Sequence, residues 1–387
     1  MIKTTAKKNN RFSFQISKWV LIVFALIALL HKFIANDIPV LARSNQGIVS
    51  PVINDYLYDL GWVDANPHLK KDQYKSIVNP LVNTSPYRTN VTRIYATPGD
   101  AAHFLGTDSV GRDVLAGLVY GAATAMKVSL FGVLIALVLG VLIGLISGYY
   151  LNQPPRIDIL HSIILIILIL IVSAYLTIEL SSGATSWGFI IIITIGLWIC
   201  SLFTLKYIPE FTHKKWTLPI ATITDRIIEV REAIPSIFLV LGAIALFAES
   251  SIWNIVLIIG FISWSNISRY MRAEVLKIRS NHYIDAARVQ GLSTFRIMVR
   301  HILPNAIDPI LAVVTFSLTT AILLEATLSF LGIGMPPQQP TWGGMLAQAR
   351  EANIWWLALF PGMCIFIIIT CLNVLADNIQ QRLDRRM

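Results

Sequence analysis

The sequence predicts an all-α polytopic membrane protein with about eight transmembrane helices. Three observations lead there. Of 387 residues, 55% are hydrophobic and 14% charged, against roughly 25% charged in a soluble domain; so much apolar surface calls for lipid as a second solvent. Two runs, Val128–Tyr150 and Ile354–Ala376, carry no charge, and each is long enough to cross a bilayer, which takes about 20 apolar residues. The basic residues behind the net charge of +9 lie in short segments between apolar runs, so topology accounts for them better than nucleic-acid binding does.

The chain divides in order. Residues 1–35 hold a basic N-terminus (Lys3, Lys7, Lys8, Arg11, Lys18) and a first span at 18–35. No small-residue cleavage pattern follows this run, so it reads as a retained helix rather than a signal peptide. Residues 36–110, rich in Asn, Asp, Pro and Tyr, form one long external segment, expected to be a small, partly irregular subdomain with little regular structure. Residues 111–150 hold a gate segment and the second span, 124–150. Residues 151–220 form an inserted hairpin of spans 159–178 and 186–206, bounded by Gln153-Pro154-Pro155 and Tyr207-Ile208-Pro209. Residues 221–387 hold the remaining spans, 233–249, 251–268, 306–325 and 354–376, with a cytoplasmic loop at 269–305. Lys and Arg concentrate at the N-terminus, after the fourth span, in 269–300 and in the C-terminal tail. Eight spans put all of these on one side, the cytoplasmic one, together with both termini.

The most informative stretch is Tyr283–Asn305. Asp285, Ala286 and Ala287 sit in a helix-compatible run closed by Gly291, which permits the left-handed conformation that ends a helix. Ser293 can cap a second helix, 294–302, which is expected to stop before Pro304. The product is a helix-turn-helix on the membrane face. Ala286 and Ala287 let a partner approach, and Arg288, Arg296 and Arg300 offer charge to an acidic or polar groove. The plain alternative is a basic loop that only sets orientation.

Gly106, Asp108, Gly111, Arg112 and Asp113 precede the second span. They read as a turn and cap, with Asp108 placed to cap and Arg112 to pair with Asp108 or Asp113, and as an architectural gate element. Charged residues at membrane depth are costly, about 2.5 kcal/mol or more on insertion scales. Glu232, Glu249 and Asp308 read as helix-end charges. Glu325, followed by apolar Leu328, Phe330 and Leu331, lies deeper, and both a helix-end role and a role in the pathway or its external gate stand open. Cys200, Cys364 and Cys371 lie in apolar runs without metal-site spacing and read as small hydrophobes. The seven histidines are dispersed. No metal site and no cofactor is expected, and no Gly-x-x-x-x-Gly-Lys-Ser/Thr stretch is present to cradle ATP phosphates.

The run Asp285-Ala-Ala, three residues, Gly291, nine residues and then His301-Ile-Leu-Pro-Asn305 resembles the "EAA" loop of binding-protein-dependent ABC importer permeases, with Asp where Glu is usual. The His-Ile-Leu-Pro-Asn ending is similar to the peptide-transporter branch. Leu105–Leu115 with Tyr120-Gly121-Ala122, and Leu324–Gly334 with Pro336-Pro337, Pro340 and Trp342-Gly343, resemble segments of the C-type subunit of dipeptide and oligopeptide permeases. The resemblance covers 100–150 and 220–387. It implies the type I ABC importer fold, normally of six spans, here extended by the 151–220 hairpin. It implies a non-catalytic channel subunit of the bacterial inner membrane that pairs with a second permease subunit, two ATPase subunits and an external substrate-binding protein. Asp285, Ala286, Ala287, Arg288, Gly291, Arg296, Arg300 and Pro304 would couple to the ATPases; Gly106, Asp108, Arg112, Asp113 and Glu325 would belong to the gate or pathway. The implied substrate is a di- or oligopeptide, with nickel or glutathione as alternatives. A stand-alone secondary transporter is the rival class, but it would favour charges in mid-span and paired broken helices.

Overall fold

A computed structural model describes residues 2–44, 47–59, 61–63, 76–99, 103–151, 156–158, 215–245, 247, 250–333, 335–336 and 338–384. The chain forms two compact units, 146–227 and the remainder. In the second of these, α1 (Ile2–Leu29) leads into a short α2 (His31–Ile34). A three-stranded sheet follows, with β1 (Leu41–Ser44) between antiparallel β2 (Gly47–Val49) and β3 (Ser76–Val78), and α3 (Pro51–Asp59) inserted before β3. Then come α4 (Val114–Tyr150), α5 (Ile220–Ala233), α6 (Ser236–Ile244), α7 (Ile252–Arg279), α8 (His282–Val289), α9 (Thr294–Ile297), α10 (Leu303–Phe330), α11 (Trp342–Ala352) and α12 (Trp355–Asp384).

Among the described residues five helices are long and apolar enough to cross a membrane: Phe12–Leu29 of α1, α4, α7, the run Thr294–Phe330 and α12. Helices are the form available to these sequences, because a backbone in lipid must satisfy its own hydrogen bonds. The predicted spans 159–178 and 186–206 lie outside the described residues, as do Cys200 and Glu249. The predicted span 233–249 is corrected: Pro235, which has no N–H to continue a helix, separates α5 from α6, and α6 is nine residues long.

The spans are held by small residues. Gly132, Ala136, Gly140 and Gly144 form a stripe at four-residue spacing along α4. A side chain at Gly132 would press on Ile259, at Gly140 on Ile267, and at Gly144 on Met271. Close backbone approach of this kind drives helix association where lipid removes the hydrophobic incentive. The partner numbers rise together, so α4 and α7 run parallel. At the opposite edge Arg382 of α12 lies over the Phe14 ring of α1, 4.9 Å from its centroid, so α1 begins where α12 ends. That end also carries the α7–α10 connection.

The segment 36–110 is more regular than its composition predicts. Ala42 pairs with both Val49 and Ile77 and is buried. Lys32 anchors the subdomain: its buried ammonium meets Asp55 at 2.8 Å and Asp59 at 2.6 Å. The Tyr56 hydroxyl donates to the Leu29 carbonyl (2.8 Å), and His31 stands edge-on to Tyr120 of α4. Tyr87 packs against the same Tyr120 ring, and burial pushes its phenol up to about 12, so it stays neutral. In the other unit, β4 (Arg156–Asp158) pairs antiparallel with β5 (Lys215–Thr217), joining the two ends of the insertion.

Candidate functional site

Residues 103–113 build a rigid collar ahead of α4. The Asp108 carboxylate accepts from the N–H groups of Val110 (3.0 Å) and Arg112 (2.8 Å) and from Arg112 Nε (2.8 Å). Asp108 thus closes the turn 108–112 and pairs with Arg112. The cap of α4 is Asp113 instead: Oδ1 accepts the Ala116 N–H (2.8 Å), while Oδ2 bonds His103 Nδ1 (2.8 Å). A carboxylate there also meets the positive end of the helix dipole. Gly106 (φ +82) and Gly111 (φ +76) are left-handed. A Cβ at Gly111 would collide with the Asn90 carbonyl, and one at Gly106 would meet the Ala96 carbonyl and the Trp356 indole.

This collar is bolted to the C-terminal helices. Trp356 Nε1 donates to the Thr107 carbonyl (3.2 Å) and Trp342 Nε1 to the Leu118 carbonyl (3.0 Å). Thr124 Oγ1 donates to the Pro340 carbonyl (3.1 Å), and Ser109 Oγ donates to Gln348 Oε1 (3.2 Å). Gly121 leaves room for Trp342, and Gly343 packs on the Ala326 carbonyl of α10. Glu325 lies in α10 one turn from this junction, 1% exposed, and accepts from Ser329 Oγ (2.8 Å). The helix-end reading of Glu325 does not fit that burial.

The far end of the molecule carries α8 and α9. α8 ends in a two-bond C-cap: Leu292 N–H bonds the Ala287 carbonyl (3.2 Å) and Gly291 N–H the Arg288 carbonyl (2.9 Å). Gly291 sits at φ +76 with open space around it, the arrangement the left-handed cap requires. Ser293 Oγ accepts the Arg296 N–H (3.4 Å) and starts α9. The predicted second helix, 294–302 with a stop before Pro304, is corrected. α9 covers only Thr294–Ile297, a π turn covers Met298–Ile302, and Pro304 lies in the first turn of α10, where a missing N–H costs nothing.

The loop is two-faced. Ile284, Ala287, Ile297 and Ile302 point into the bundle, so Ala287, expected at a partner surface, packs inward. Ala286 faces out, with Asp285, Arg296, Arg300 and the apolar Tyr283, Val289 and Phe295. Val289 and Phe295 are 89% and 71% exposed. Asp285 and Arg288 form an ion pair at 3.1 Å.

One larger cavity, about 460 Å³, lies between α7 and α10 in the half of the bundle nearer this loop, with Gln380 of α12 at its edge. Its α7 wall is Ser263, Asn266, Tyr270 and Glu274, a polar face at helical spacing, with Arg269 beside it. Arg269 Nη2 reaches Glu232 at 2.7 Å. Sequence reasoning missed this wall, although residues at i, i+3, i+7 and i+11 share a helix face and polar ones within a span are unusual. It also missed His103 and Trp356, and it read Thr107 and Trp342 only as parts of family-like segments, because their roles depend on contacts far apart in sequence. Among the described residues no three His, Cys, Asp or Glu side chains converge as metal ligands.

Residues 218–387 match the family described as binding-protein-dependent transport system inner membrane component. The chain is 30% identical over 342 residues to the dipeptide transport system permease protein of Alkalihalophilus pseudofirmus, covering 84% of this chain and 90% of that one. It is 28% identical to the di/tripeptide transport system permease protein of Pseudomonas aeruginosa (75% and 74% covered). It is 26% identical to the glutathione transport system permease protein of Pectobacterium atrosepticum (74% of each).

Proposed function

The chain belongs to the binding-protein-dependent transport system inner membrane components, in their peptide-permease branch and with the type I ABC importer membrane fold, and on that premise we propose that it is one membrane subunit of an ATP-driven importer of di- and oligopeptides. It is a multi-pass inner-membrane protein. Its loop end and both termini face the cytoplasm, and a second permease subunit completes the channel. Two ATPase subunits bind from the cytoplasm, and a substrate-binding protein delivers peptide from outside.

The observation that carries this reading is the outward face of α8 and α9. Apolar Tyr283, Val289 and Phe295 are exposed on the same stretch as exposed Asp285, Arg296 and Arg300, the mix of apolar and charged residues that docking surfaces carry. ATP closes the ATPase pair, the pair moves this surface, and the π turn and α10 pass the motion into the bundle. The collar residues Gly106, Asp108, Arg112 and Asp113, with Glu325 behind them, hold the opposite end as a unit. Alternating access needs such rigid parts moving against one another. Glutathione, itself a small peptide with free carboxylates, is the second reading, favoured by the glutathione-system relative.

The chain itself performs no catalysis in this scheme. Purified and placed in lipid alone it is expected to hydrolyse no ATP; with its partner subunits, hydrolysis and peptide uptake appear together. ATP turnover by the isolated chain, with contaminants excluded, sinks the proposal.

A further inference from the structure

We propose that the cavity between α7 and α10 is a binding site for both charged ends of a short peptide, Arg269 taking the carboxylate and Glu274 the ammonium. The inference rests on the peptide-importer reading and deepens it. The volume, about 460 Å³, falls within the range of small-molecule pockets, roughly 300–1,000 Å³.

The chemistry of the walls is two-signed. Glu274 is half-buried and meets no hydrogen-bond or ion-pair partner among the described residues, so its carboxylate faces the cavity uncommitted. Arg269 spends one nitrogen on Glu232, and its side chain is 54% exposed. The guanidinium fork has five N–H donors, enough to hold a second carboxylate. Asn266 on α7, with Ser317 and Thr320 on α10, supplies amide and hydroxyl groups on the same cavity walls for a peptide backbone. Phe316 supplies apolar surface for a side chain. Arg269 and Glu274 both line the cavity, five residues apart on one helix, about 7–8 Å along its axis and roughly 140° around it.

The test uses the assembled complex in lipid nanodiscs without the binding protein, so that its selectivity does not intrude. Binding of one tripeptide is measured in four forms: free, N-acetylated, C-amidated and doubly blocked. The free form is expected to bind tightest. Glu274→Gln, which keeps shape and removes charge, is expected to weaken the free and C-amidated forms about tenfold, the scale of one charge-assisted hydrogen bond, and to leave the N-acetylated form unchanged. Arg269→Lys, which keeps charge and loses the fork, should weaken only forms with a free carboxylate. Equal binding of all four forms, or equal losses across them in both variants, overturns the site and makes the cavity a packing surface for the second membrane subunit. The underlying function is judged separately: a complete wild-type transporter, binding protein included, that imports no peptide defeats the importer reading itself.

Discussion

Gly111 and Gly291 share a backbone angle, φ +76, and almost nothing else. Gly111 is wedged against the Asn90 backbone, in a collar whose carboxylates and indoles all have partners. Gly291 has open space around it, at the tip of a loop whose apolar and charged side chains face outward. One end of the molecule is finished by its own contacts; the other is shaped by its own hydrogen bonds but not covered. A site of assembly is therefore expected at the second end, and substitutions at the two ends should fail in different ways.

The largest effect is expected from Gly111→Val. It adds a collision with backbone to left-handed strain, on the order of 2–5 kcal/mol together. The chain should reach the membrane in much reduced amount, read by quantitative immunoblotting of membranes. Wild-type accumulation would show that the collar yields, and would erase the contrast between the ends. Next comes Gly140→Val. Its added atoms press on Ile267 and on the Trp264 carbonyl, and overpacking costs about 1–3 kcal/mol. Expected is a complex that forms but has a lower melting temperature in detergent; an unchanged value would mean that α4 and α7 separate freely.

How much of this was legible in the sequence follows from range. The turn of the loop was readable because its logic is local: Gly291 and Ser293 act within one or two turns. The second span, read as 124–150, was readable because lipid leaves a long apolar run no other form, although its helix starts ten residues earlier, at Val114. The collar was half-readable. Asp108 and Arg112 are neighbours, so their pairing could be foreseen, but the capping role of Asp113 is shared with His103, and the bolts Trp342 and Trp356 lie more than 200 residues away. The π turn was not readable, because Pro304 signals a helix stop as strongly as a helix start. Tertiary packing of α10 decided which. Span 233–249 failed on Pro235, visible in the sequence but outweighed by its apolar neighbours.

Gly291→Val sharpens the comparison from the other side. The strain of a β-branched residue in the left-handed region is about 1–2 kcal/mol, and no neighbour adds a collision. The protein should accumulate and assemble, yet the two-bond cap that aims α9 is disfavoured. ATP hydrolysis in the reconstituted complex should continue while peptide uptake per ATP falls severalfold. Wild-type coupling in this variant would leave the loop with no role beyond orientation.

Asp285→Ala is expected to give the smallest effect. The side chain is 60% exposed and its pair with Arg288 is a single contact at 3.1 Å. Exposed pairs contribute about 0–1 kcal/mol, and a carboxylate in the first turn of a helix adds about 0.3–1 kcal/mol through the dipole. Alanine offsets part of that loss by its higher helix propensity. Stability should therefore hardly move. The readout that separates the two readings of the loop is again coupling. If Asp285 only steadies α8, uptake per ATP should match wild type, and added salt should change both proteins alike. If it meets a basic group on an ATPase subunit, uptake per ATP should fall modestly at low ionic strength. The difference from wild type should then vanish as salt screens the contact, since the Debye length shrinks from about 10 Å at 0.1 M to about 3 Å at 1 M. A deficit that persists unchanged at high salt would assign Asp285 to the shape of the loop rather than to its surface.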